Sequence, residues 1–213
     1  MDRFHVEEAA HTWAQIWPIL NKTYKRTATF LDYRNPWELL IAVILSAQTT
    51  DEGVNKVTKE LWKKYPKPAD LAKAPIADIA KIIHRVGYYN AKARYIKKTA
   101  QMIVGEFKGK IPDTEEALRT LPGVGRKTAV VVLSNAFKRD VGIAVDTHVI
   151  RFAHRFKLSK SKNPDIIERD LKELIPQKYW KRAAYAIKEY GRKEGRARGY
   201  KEGEDPLVYA LNK

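Results

Sequence analysis

The segment Leu121-Pro122-Gly123-Val124-Gly125-Arg126-Lys127-Thr128-Ala129 joins a turn built on two glycines to a lysine on the first turn of the next helix. Glycines on either side of one apolar residue let the backbone reverse sharply, so that amide N–H groups at the helix start point outward at an anion. Pro122 removes a donor where none is needed and stiffens the turn. Further along, Ala144-Val145-Asp146-Thr147-His148 supplies a carboxylate. An amine beside a gripped phosphate, paired with a carboxylate, is equipped to attack a sugar carbon. The same residues also admit plainer uses: a surface lysine, and an aspartate capping a helix ahead of Thr147.

The balance of charge points to a polyanionic partner. In 213 residues, 41 Lys and Arg outnumber 25 Asp and Glu, for a net charge of +16. The sequence pI is near 9.8. A field of this sign steers phosphate backbones to the surface and gains free energy by releasing their counterions, so nucleic acid is the favoured partner. There is no cysteine, which excludes disulfides, thiolate-bound zinc, iron–sulfur clusters and a cysteine nucleophile; no metal or other cofactor is expected. The amino terminus, Met1 to Glu8, lacks the apolar core of a signal peptide, and no window approaches a membrane span. The expectation is a soluble intracellular monomer without a membrane partner, in the cytoplasm or nucleoid if the source is prokaryotic.

Apolar residues recur at three- and four-residue intervals, which predicts an all-α fold. An opening helix from about Val6 to Tyr24 aligns Ala9, Trp13, Ile16, Trp17 and Leu20. Asn35-Pro36-Trp37-Glu38 reads as a cap, a first-turn proline and a reciprocal glutamate, opening a buried helix through Leu45. Asp51 is expected to cap a third helix carrying Val54, Val57, Leu61 and Trp62, followed by a short turn at Pro66 and Pro68. A helix holding Ile76, Ile79, Ile82 and Ile83 stops at Gly87, and the next, from Asn90 to about Phe107, carries basic residues on its outer face. Asp113 to Glu116 reads as a second capping box, launching a helix that ends at Leu121; the glycine turn leads into Arg126 to Phe137. Helices are expected near 147–156, 164–174 and 178–190. From Gly191 to Gly203 the chain is rich in Gly, Arg, Lys and Glu, which predicts an extended basic loop pinned by Leu207, Val208, Tyr209 and Leu211.

Taken together, these segments resemble the endonuclease III branch of the helix-hairpin-helix DNA glycosylases. The resemblance rests on residues 121–129 and 144–148, on Leu39-Leu40-Ile41-Ala42-Val43-Ile44-Leu45-Ser46-Ala47-Gln48-Thr49-Thr50-Asp51, and on Val86-Gly87-Tyr88-Tyr89-Asn90-Ala91-Lys92-Ala93. It implies two helical lobes holding double-stranded DNA across a central cleft: a six-helix bundle over 31–140, and a second lobe joining 1–30 to 141–213. It also implies excision of a flipped base. Lys127 would attack the sugar and form a Schiff base that permits β-elimination. Asp146 would stabilise charge developing on the sugar or accept a proton from the amine. Gly123 and Gly125 would grip phosphate, Leu121 and Val124 would anchor the hairpin, Arg126 would join the DNA-binding residues, Gln48 would fill the gap left by the flipped base, and Tyr88 would wedge the duplex. His148, Arg192, Lys193, Arg196 and Arg198 would complete the DNA-binding surface.

Two departures from the family stand out. Tyr88 occupies the place of a leucine wedge, an arrangement closer to the adenine glycosylases, although those lack a lysine at position 127. The four cysteines that hold a [4Fe–4S] cluster in the family fall on Gly195, Glu202, Asp205 and Leu211. The carboxyl-terminal lobe is therefore expected to be cluster-free and held by Tyr200, Leu207 and Tyr209. A bifunctional glycosylase and abasic-site lyase for oxidised pyrimidines is the leading expectation. The alternatives are a T:G or U:G mismatch glycosylase and a non-catalytic DNA-binding module.

Overall fold

The computed structural model describes residues 3–195 and 200–212. Among the described residues every regular element is helical: twelve α-helices and two single 3-10 turns. No helix among them is long and apolar enough to cross a membrane. The chain divides into two compact units, Thr29–Arg139 and Met1–Ala28 with Asp140–Lys213.

In the central unit, α2 (Pro36–Leu45) is buried at every residue from Trp37 to Leu45. Around it stand α3 (Asp51–Lys64), α6 (Tyr89–Gly105) and α8 (Arg126–Ala136). The shorter α4 (Pro68–Lys73), α5 (Ile76–Ile83) and α7 (Glu115–Arg119) complete the unit. Local chemistry sets the boundaries. Asn35 Oδ1 accepts from the Glu38 amide at 3.0 Å, but the buried Glu38 carboxylate reaches Arg34, taking its amide at 2.8 Å and its guanidinium at 2.6 Å. The reciprocal cap thus sits one residue earlier than the sequence pattern predicts. Thr50 caps α3, its Oγ1 accepting from Gly53 at 3.1 Å, while Asp51 is the first helical residue. A hydroxyl one residue upstream takes the role expected of the carboxylate, leaving Asp51 to favour the helix's positive end. The same shift occurs at α7, where Thr114 is the cap and Asp113 pairs with Arg139 at 2.6 Å. A full helix, α4, forms where only a turn is predicted, because Pro68 presets the first residue and Asp70 accepts from the Lys67 amide at 3.0 Å.

The other unit contains α1 (Arg3–Thr23), α9 (Thr147–Arg155), α10 (Pro164–Leu174), α11 (Trp180–Lys193) and α12 (Pro206–Leu211). Ala9, Trp13, Ile16 and Leu20 of α1 join Val149, Phe152, Ile167, Leu171, Ile187, Tyr190 and Leu207 in one core. Trp17 is partly buried and stacks on Trp13 with ring centroids 5.1 Å apart. Contrary to the predicted loop, α11 continues through Gly191, Arg192 and Lys193. Tyr190 is anchored in the core against Phe152 and Tyr24, and Lys193 pairs with Glu189 one turn back at 2.7 Å, so the helix has reason to go on.

The final segment returns through a 3-10 turn, Glu202–Glu204, into α12, which packs on α1. Leu207 is completely buried and Val208 and Leu211 are partly buried against the same core, whereas Tyr209 is 62 % exposed. The fastening is largely polar. Asp205, itself buried, accepts from the Tyr190 and Tyr200 hydroxyls through Oδ2, the latter at 2.9 Å. Its Oδ1 caps α12 by accepting from the Leu207 amide at 2.9 Å. Arg155 donates to the Tyr190 hydroxyl at 2.8 Å and lies 3.5 Å over the Tyr200 ring. Burial and the neighbouring carboxylate push the Tyr200 phenol up to about 12, so both tyrosines remain donors at neutral pH.

Candidate active site

Between α7 and α8 the chain turns on Gly123, with Leu121 and Val124 buried as its anchors and the Val124 amide bonded to the Leu121 carbonyl at 3.1 Å. Gly123 has φ +79°, and a Cβ there would lie 3.2 Å from both Ile44 Cγ2 and Tyr95 Cδ2. The backbone angle therefore favours glycine strongly, and the space beside it is tight for a side chain. Gly125 is different: its φ is an ordinary −91°, and a Cβ would meet nothing within 4 Å. Its bareness clears the approach to the start of α8, which has no side-chain cap. The first turn of a helix lacks internal acceptors for its N–H groups and carries partial positive charge, so this end suits a phosphate oxygen. Arg126 turns aside to form an ion pair with Glu115 on α7. Lys127, the second residue of α8, is exposed.

Gln48 and Tyr88 stand on neighbouring loops of the same unit. Both are non-glycine residues in the left-handed region, at φ +52° and +58°, and both are exposed, Tyr88 by 70 %. Such angles persist only where the surroundings hold them. With Ile44, Tyr95 and Gly123 they line a pocket of about 470 Å³. The structure thus brings the glycine turn, Gln48 and Tyr88 to one place.

Asp146 lies in the other unit as the cap of α9, its Oδ1 accepting from the His148 amide at 2.8 Å and the Val149 amide at 3.1 Å. His148 packs against α11, where a Cβ on Gly191 would fall 2.4 Å from His148 Nδ1. The same nitrogen is 3.1 Å from the Arg151 guanidinium. Burial holds the His148 imidazole below the usual histidine range; Asp146 opposes this, while Arg151, Lys188 and Arg192 reinforce it.

The folded protein therefore favours the neutral ring, and the unfolded chain binds more protons between the two pKa values. This contribution is complete above the ordinary value of 6.5 and is lost as pH falls below it. Between about pH 8 and about pH 5 the wild type is expected to lose more melting temperature than His148→Gln. Parallel melting curves would remove His148 as the titrating group.

Arg192 is half-buried beside His148, and Lys193 is exposed and paired with Glu189. Arg196 and Arg198 lie outside the described residues. The positions corresponding to the family's cluster cysteines do not fit a [4Fe–4S] group. Gly195 is buried, and any Cβ would come within 2.7 Å of Tyr190 and 2.9 Å of Arg155. Asp205 is committed to two phenols and a helix cap, and Glu202 and Leu211 supply no thiolate. Among the described residues no three His, Asp or Glu side chains are placed to hold a metal ion.

Two residues escape the sequence reading. Lys92 is buried on α6, with 4 % exposure, where the sequence suggests basic residues face outward. Its signal was its phase, since it falls on the same helical stripe as Ile96, Thr99 and Ile103. Tyr95, which closes on Gly123, carries no comparable mark.

The family model described as HhH-GPD superfamily base excision DNA repair protein matches residues 41–177. Endonuclease III of Synechocystis sp. is 46 % identical over 191 residues, covering 90 % of this chain and 87 % of that protein. Endonuclease III of Bacillus subtilis is 39 % identical over 179 residues, covering 84 % and 81 % respectively. Among solved structures, a trapped endonuclease III–DNA covalent intermediate superposes with a TM-score of 0.90 at 37 % identity, covering 94 % of each chain.

Proposed function

The chain belongs to the HhH-GPD superfamily of base excision DNA repair proteins, and on that premise we propose that it removes oxidised pyrimidines from duplex DNA with Lys127 as its nucleophile. Its activity class is DNA N-glycosylase and abasic-site lyase. The observation that carries the residue assignment is the exposed Lys127 on the first turn of α8, next to an uncapped helix start that bare Gly125 leaves open. A phosphate held there brings the adjoining sugar within reach of the amine.

In the reaction, the neutral Lys127 Nζ attacks the anomeric carbon, and the bond from that carbon to the base breaks, the base leaving with the electron pair and a proton. The nitrogen lone pair then opens the sugar ring, breaking the bond from the anomeric carbon to the ring oxygen, which takes up a proton, and the resulting iminium acidifies the neighbouring sugar C–H. Loss of that proton expels the 3′ phosphate, and water then frees the lysine. The Asp146 side chain would stabilise positive charge on the sugar or take the proton of the attacking amine. Phosphate contacts at Gly123 and Gly125 fix register without reading sequence. The protein acts on DNA as a monomer. No step runs through an iron–sulfur cluster, because the chain has no thiolate to hold one.

The choice of lesion is tested by single-turnover incubation with duplexes carrying thymine glycol or a T:G mismatch. Scission at thymine glycol is expected to be faster by about tenfold or more. Preference for the mismatch would reassign the substrate, and scission of neither would remove the lyase.

A further inference from the structure

We propose that Lys92 is a positioning residue that locks the Gln48 and Tyr88 loops into one rigid two-pronged wedge. The inference rests on the reading that Gln48 and Tyr88 enter the duplex. The Lys92 ammonium donates to the Leu45 carbonyl at 2.8 Å, the Ala47 carbonyl at 2.5 Å and Thr49 Oγ1 at 3.1 Å. All three of its donors are thereby used. Leu45 is the last residue of α2, so the charge rests on the negative end of a buried helix; among the described residues it has no carboxylate partner. Burial lowers the proton affinity of this amine, a cost that a residue serving only to fill space would not incur.

The three acceptors bracket Gln48, and the fastening continues across to the second loop. Thr49 Oγ1 also accepts from the Gly87 amide at 3.1 Å, and a Cβ at Gly87 would lie 3.0 Å from the Gln48 carbonyl oxygen. Gly87 immediately precedes Tyr88. One ammonium and one hydroxyl therefore tie together two loops, each carrying an exposed residue in a left-handed conformation. Neither angle is a low-energy choice for a side-chain-bearing residue, and both are retained where this knot fixes the backbone. The arrangement sets the separation of the two prongs before DNA arrives, which spares the ordering cost at the moment of insertion.

The test compares Lys92→Met, which keeps the chain's bulk and removes its donors, with Gln48→Ala and Tyr88→Ala alone and combined, in both backgrounds. Cleavage at an abasic site in single-stranded DNA, which needs no wedge, is the reference reaction. Lys92→Met is expected to lower duplex excision about ten- to hundredfold while leaving single-strand cleavage within about twofold. The effects of Gln48→Ala and Tyr88→Ala are expected to be non-additive in the wild type and additive in Lys92→Met. Equal losses on both substrates would mean a purely structural lysine, and coupling that survives Lys92→Met would likewise overturn the proposal. Single Gln48 and Tyr88 variants that excise normally would bring down the wedge reading itself. If Lys92→Met does not fold, Thr49→Val, which removes the acceptor shared by both loops, is expected to abolish the same coupling.

Discussion

Lys127→Ala is expected to lose borohydride-trappable adduct completely on duplex DNA containing one abasic site, and to lower base excision by about 10³-fold or more. The large effect follows from the covalent role: without an amine there is no iminium, hence no acidified sugar C–H and no β-elimination. Retained DNA binding is the necessary companion result, because the phosphate grip proposed above uses backbone at Gly123 and Gly125 and the start of α8, none of which the substitution removes. Binding by Lys127→Ala should also keep its salt dependence to within about one unit of slope, since only one cation is lost. An adduct of undiminished yield from Lys127→Ala would place the nucleophile elsewhere. Failure of the folded, DNA-binding wild type to form any adduct would leave a monofunctional or non-catalytic protein.

The second large effect is on stability. Asp205→Ala is expected to cost about 3 kcal/mol, because it strands two phenol donors and the cap of α12 in a buried setting. In a chain of this size that corresponds to a melting temperature lower by about 6–12 °C. Tyr200→Phe, which removes one donor and leaves the carboxylate its other partners, should cost about 1 kcal/mol. A melting curve for Asp205→Ala within about 1 °C of wild type would show that α12 is held without this polar fastening, by its apolar contacts.

Comparison of the two large effects shows where the sequence is a sufficient guide and where it is not. The glycine turn, the place of Lys127 at the start of α8 and Asp146 as the cap of α9 were legible because these features are local: Gly123, with φ +79°, and the bare Gly125 lie two residues apart. The helices were legible through apolar periodicity, and α2 is buried as its unbroken apolar run predicts. Caps slipped by one residue at Thr50 and Thr114 because adjacent hydroxyls and carboxylates compete for the same amides, and only the backbone path decides between them. Lys92 escaped because a lysine among basic neighbours looks like solvent-facing charge until the carbonyls of Leu45, at the end of α2, and Ala47, in the turn after it, are brought to it. The Asp205 fastening was invisible for the same reason, since Arg155, Tyr190 and Tyr200 reach it from three separate stretches of chain. Sequence spacing reveals contacts along one element and is silent about those between elements.

A carboxyl-terminal segment fastened by a carboxylate, two phenols and a guanidinium is finished as soon as the polypeptide folds. Every component is encoded, and none has to be imported, inserted or repaired by another protein. Closing this fastening therefore requires folding and draws on no iron. An oxidant has no labile cluster to attack in this fastening.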